Sequence, residues 1–268
     1  MICDMKKKLL AAVTAFLVTA ALSASALAAE PIGALNKAPR SMEQETPYIT
    51  QCELGSTVAD AFRAVGGTQI ALVETGMLAA DLPQGEVTRA DAERVFPSDE
   101  ALVTTTLTPQ ALYALLENAV SAIQVDPATE HIDTDRAMHN RAFCQVSGVT
   151  FRYDASASAG ERIVSIRLDD GTELERTDSE SAVTVTAPEH LLNGETLGVT
   201  CVDALCSYIS GRTELPEGES DRISVIGARE NTIVGLFPRW LVVAGVGILA
   251  ALLAVSGMRL KRHKEEFN

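Results

Sequence analysis

Between Glu53 and Leu107 the apolar spacing switches twice from helical to strand-like, and this stretch constrains the fold more than any other. Val58, Ala61, Phe62 and Val65 recur at helical spacing within Ser56–Val65, and Gly66-Gly67 closes the run. Ile70–Val73 is an apolar run of strand length. Thr88 is placed to cap a helix over Arg89–Val95, whose Arg and Glu side chains face water. Ala101–Leu107 is rich in β-branched residues and fits a second strand. The loops Glu74–Ala79 and Phe96–Glu100 adjoin these strands, and in open α/β sheets ligands sit at loops of this kind.

The pattern continues beyond Leu107. Thr108 is a cap and Pro109 suits the first helical position. Ala111, Leu112, Leu115, Leu116, Ala119 and Ile123 then form a stripe that would cover a sheet. The polar stretch 124–141, with His131 and His139 among several acids, matches no metal-binding spacing and reads as a solvated loop. Phe143–Asp154, Arg162–Leu168 and Ser181–Ala187 read as strands, and Asp169-Asp170-Gly171 is a hairpin turn. Thr200–Ile209 reads as a helix that turns Val202, Leu205 and Ile209 inward.

An ordered series of short motifs resembles the C-terminal, substrate-recognition domain of the 5'-nucleotidase family. It comprises Glu53-Leu54-Gly55, Val58–Arg63, Ala80-Asp81-Leu82-Pro83, Gly85-Glu86-Val87-Thr88 and Leu102-Val103-Thr104 through Leu107-Thr108. Gln145-Val146-Ser147-Gly148 before Phe151-Arg152-Tyr153-Asp154, and Ala159–Arg162 leading into Ile163-Val164-Ser165, extend it. The likeness covers roughly Thr46 to Val225. It implies an α+β domain, a mixed β-sheet covered by helices. About 180 residues bury roughly 70% of the unfolded chain's surface, so such a domain needs no covalent staple.

Both ends carry a different grammar. Lys6-Lys7-Lys8, the apolar run Leu9–Leu22 and Ala26-Leu27-Ala28 have the order of a secretory signal peptide over residues 1–28, and the run is short of the roughly 20 residues of a membrane span. Residues 29–45 read as a linker or a first extended segment. After a connector at 226–239, Trp240–Met258 is uncharged and apolar, long enough to cross roughly 28 Å as a helix. Arg259, Lys261, Arg262 and Lys264 in the tail 259–268 mark the cytoplasmic side. The expectation is a single-pass cell-membrane protein with one C-terminal transmembrane helix and its domain, 46–225, outside.

Charge narrows the partners. The chain carries 22 basic and 36 acidic residues, of which 14 and 33 lie in residues 29–238, a net charge near −19 for the exported part. Such a surface repels nucleic acid, so no nucleic-acid partner is expected. Cys52, Cys144, Cys201 and Cys206 allow three disulfide pairings or remain thiols, and their spacing matches no zinc motif.

In the family, hydrolysis belongs to a separate N-terminal metallophosphatase domain whose Asp, Asn and His ligands hold two metal ions. About 20 residues precede the matching region after signal removal, and no Asp-x-His, Gly-Asn-His or His-x-His occurs. The sequence also has no Gly-x-Ser-x-Gly and no phosphate-binding loop. A catalytic residue, a metal site and a cofactor are therefore not expected.

The resemblance places substrate contacts in three loops. Where the family has an Asn, glycines and an Arg after the first strand, this chain has Glu74, Thr75, Gly76, Met77, Leu78 and Ala79, with Glu74 at the Asn position and Ala79 at the Arg position. Pro97 is followed by Ser98, Asp99 and Glu100 in place of a base-stacking aromatic, Gly and Asn. Within Leu192–Leu197, Asn193-Gly194 remains without an aromatic. Each lost base stack removes about 1–3 kcal/mol of affinity. The expected pocket is degenerate, and three readings follow: a binding or assembly module at the cell surface, a recognition subunit for a separate metallophosphatase, or a site for a cation or polyamine; the expected partner is such a phosphatase or another envelope protein.

Overall fold

The strand Ile70–Glu74 (β2) is apolar on both sides because it runs through the middle of three layers. Ile70 and Leu72 point into one core, and Ala71 and Val73 into another. The computed structural model describes residues 30–39, 47–215 and 221–229. The expected signal peptide, transmembrane helix and basic tail lie outside those residues. Among the described residues no helix is long and apolar enough to cross a membrane.

Before β2, Pro31–Leu35 (β1) is a strand inside the stretch read as a linker or first extended segment. The first helix, Glu53–Gly66 (α1), ends at Gly67, whose left-handed φ of 62° lets its N–H reach back to the Arg63 carbonyl. After β2, Gly85–Thr88 (β3) pairs antiparallel with β1. Thr88 and Asp91 then form a reciprocal capping box at Arg89–Val95 (α2). Ala101–Leu107 (β4) and the Thr108-capped helix Pro109–Ala119 (α3) follow. The stripe expected to reach Ile123 leaves the helix at Ala119, yet Ile123 stays buried.

Thr134–Ala137 (α4) is one helical turn within the polar stretch. Cys144–Ser147 (β5), Val149–Asp154 (β6), Ile163–Leu168 (β7), Glu173–Leu174 (β8), Val183–Pro188 (β9) and Glu195–Thr200 (β10) complete most of the strands. Thr200 caps Cys201–Ile209 (α5), and Ile223–Ile226 (β11) is the last strand.

Two sheets result beside the β1–β3 ribbon. The larger has the order β10-β4-β9-β2-β5, antiparallel except for the parallel β2–β9 pair. The smaller has the order β11-β6-β7-β8, with β11 parallel to β6. Between the sheets, α3 packs against β4 and β7. Its Glu117, almost fully buried, accepts the backbone N–H groups of Arg162 at 3.0 Å and Ile163 at 2.8 Å, and the Arg176 guanidinium at 3.0 Å. On the opposite face of the larger sheet lie α1, α2 and α5, with Leu54, Phe62, Val95 and Leu205 in the second core. The class is the expected α+β, but two mixed sheets and a two-stranded ribbon stand where a single mixed sheet was expected. No disulfide joins the four cysteines among the described residues, and burial pushes the Cys201 thiol up to about 12.

Candidate functional site

The order of the larger sheet determines what meets at its end. β9 lies between β4 and β2. It runs antiparallel to β4, with Pro188 opposite Leu102, and parallel to β2, with Thr186 opposite Ala71. The second residue past the end of β9 therefore meets the residue just before β4 and the last residue of β2. These are His190, Glu100 and Glu74. The His190 ring sits between both carboxylates, Nδ1 at 2.6 Å from Glu100 Oε2 and Nε2 at 2.8 Å from Glu74 Oε2. Burial disfavours the charged ring, but the two carboxylates outweigh that effect and raise its pKa above 6.5.

Beside this trio opens a cavity of about 280 Å³. Its size is just under the roughly 300–1,000 Å³ of ordinary ligand pockets. Glu74, Gly76, Met77 and Ala79 from the end of β2 and the loop after it, and Pro97, Ser98 and Glu100 from the loop before β4, line it. Arg141 and His190 complete it.

Arg141 brings a cation to the cavity wall. Ala79 carries no charge where the family places an Arg, but the polar stretch ends by folding back along the loop after β2. The Gly76 N–H donates to the Arg141 carbonyl at 3.0 Å, and the Arg141 guanidinium donates to the Gly76 carbonyl. A Cβ on Gly76 would lie 2.5 Å from that of Arg141, so this approach requires glycine.

The other expected site residues fall elsewhere. Thr75 is fully buried, donating its N–H to the Phe143 carbonyl at 2.7 Å and its hydroxyl to the Pro47 carbonyl at 2.9 Å. It anchors the loop from below and does not line the cavity. Asp99 turns toward α5 and accepts the Val202 N–H at 3.0 Å, where a helix N-terminus favours an anion. Asn193 and Gly194 are exposed just before β10, and Gly194 lies against the Thr104 carbonyl.

Among the described residues no Phe, Tyr or Trp lines the cavity. Phe96, next to the lining residue Pro97, and Phe143, two residues past Arg141, are both turned into the cores. Both ring nitrogens of His190 face carboxylates, so the ring is not positioned to activate the Ser98 hydroxyl. Among the described residues no group of three or more His, Cys, Asp and Glu is arranged to hold a metal ion.

With the fold and cavity defined, known proteins give the same class. The family model for the 5'-nucleotidase, C-terminal domain matches residues 31–196, from the first residue of β1 to within β10. The chain belongs to this family. No curated protein matches it. Among solved structures, a 5'-nucleotidase precursor from Thermus thermophilus is similar with a TM-score of 0.62 and 23% identity, over 80% of this chain and 43% of that one. The NAD nucleotidase of Haemophilus influenzae is similar with a TM-score of 0.56 and 16% identity, over 80% of this chain and 42% of that one. A Staphylococcus aureus protein described as a 5'-nucleotidase gives 0.59 and 11%, over 73% and 40%. The chain thus spans about two-fifths of the length of these proteins.

Proposed function

We propose that this protein is an extracytoplasmic binding module of the 5'-nucleotidase C-terminal family, held in the cell membrane by the apolar helix 240–258. It acts at the cell surface in ligand binding or assembly and does not itself hydrolyse nucleotides. The observation that carries this reading is the chemistry of the cavity. Among the described residues no Phe, Tyr or Trp lines it to stack on a base, and Glu74 and Glu100 set two carboxylates at its wall, which disfavour a phosphate. Arg141 supplies one cation, so a compact polar ligand with charges of both signs suits the walls better than a nucleotide.

The full chain, supplied with AMP and Mn²⁺, Co²⁺ or Zn²⁺, is expected to release no phosphate above buffer. Turnover would overturn the non-catalytic reading. Protease added to intact cells is expected to remove the domain and spare the tail, and a protected domain would contradict the orientation.

A second reading starts from the match to the 5'-nucleotidase, C-terminal domain. A separately encoded metallophosphatase would dock onto the domain, which would then serve as its recognition subunit in nucleotide breakdown. Co-purification of such a protein, with AMP hydrolysis only on mixing, would establish that reading. Activity unchanged by mixing would remove it.

A further inference from the structure

We infer that His190 is a proton-operated clasp on the cavity, holding three chain segments together when its ring is doubly protonated and releasing one of them when it is not. The geometry carries the inference. A carboxylate oxygen only accepts hydrogen bonds, so both contacts, at 2.6 and 2.8 Å, need an N–H. A neutral imidazole has one N–H and an imidazolium has two.

With two carboxylates as partners, this arrangement fits the imidazolium. The segments it joins are the end of β2, the residues before β4 and the turn after β9, and all three contribute to the lining of the cavity. When the ring loses a proton, one carboxylate faces a lone pair, and Glu74 and Glu100 lose the charge that screened them from each other.

The surrounding charges do not supply a substitute. Arg141 is held by the Gly76 carbonyl, Asp99 is directed to the α5 N-terminus, and Glu189, next to His190 in the chain, is exposed. The carboxylates also account for the raised pKa of the ring against its partial burial. The clasp stands on the ring and its two partners, independently of whether the cavity proves to bind a ligand.

Nuclear magnetic resonance tests it without any ligand. The full chain in detergent micelles is labelled at histidine ring nitrogens and methionine methyl groups. His190 is identified among the four histidines with H190Q, and Met77, which lines the cavity, with M77L. The expected result is a ring protonated at both nitrogens in mild acid, titrating with a midpoint above 6.5. The Met77 methyl signal moves with the same midpoint and stays still in H190Q. In E74Q and E100Q the midpoint falls by about one unit, because an opposite charge has been removed. A midpoint at or below 6.5 in the unaltered chain would overturn the clasp. So would a Met77 signal that does not move while His190 titrates. If either Gln variant fails to fold, the titration of the unaltered chain decides alone.

Discussion

Phe96 stacks on Phe62 inside the core, with ring centroids 6.0 Å apart and planes 25° apart, although the next residue in the chain lines the cavity. The aromatic side chain nearest the second loop is thus committed to packing. Phe96→Ala is expected to lower stability by about 3–5 kcal/mol, because the helices around it cannot close over the space. Chemical denaturation measures this. A loss below about 1 kcal/mol, within the range of ordinary substitutions, would mean that the ring is free to leave the core and face the cavity.

Gly76 and Arg141 predict a local effect. A side chain at Gly76 would meet the Arg141 Cβ at 2.5 Å and its carbonyl oxygen at 2.6 Å. Gly76→Val is expected to push that segment away and accelerate tryptic cleavage after Arg141, with the rest of the domain still resistant. Unchanged cleavage at Arg141 in the variant would show that the close approach does not hold it.

Glu117 is an interior acceptor between the two sheets. Glu117→Ala leaves the buried N–H groups of Arg162 and Ile163 without their acceptor, each at about 1–3 kcal/mol. Glu117→Gln keeps one oxygen and is expected to lose less. Denaturant titration of both variants checks the order, and equal losses would contradict it.

Asp91 makes the domain sensitive to acid. Burial opposes its charge, but the Thr88 hydroxyl and N–H, together with Arg94, hold its pKa below 3.8. A carboxyl depressed in the folded state stabilises the fold above its unfolded pKa, and this stability is lost as pH falls through the folded value. Asp91→Asn is expected to lower stability by about 0.5–1 kcal/mol near neutral pH. The difference from the unaltered chain should shrink as the pH falls below 3.8 and vanish once it is below the folded value. A difference that persists in acid would show that packing, not charge, is responsible.

The sequence made the capped and strongly periodic elements legible. Thr88, Thr108 and Thr200 each stand at the N-terminus of the helix expected after them. β1, β3 and β10 were less visible, because β3 has a single buried apolar residue and β10 is half-exposed along its length. Within the site, Glu74, Gly76, Met77, Ala79, Ser98 and Glu100 gather from the two loops the sequence singled out. His190 and Arg141 did not emerge from the sequence. His190 reaches the cavity through the strand order β4-β9-β2, a long-range pairing that local periodicity does not encode. Arg141 does so because the polar stretch returns along Gly76 instead of remaining wholly in solvent. Conversely, Asp99 has the residue type of a pocket acid but serves a helix end.

Thermal unfolding of the full chain with millimolar adenosine or AMP tests the central claim most directly, since a ligand that binds only the folded state must raise the melting temperature. A cavity without a stacking ring and with two carboxylates at its wall predicts no shift with either compound. A clear, concentration-dependent rise would contradict it and show that the pocket still recognises a nucleoside.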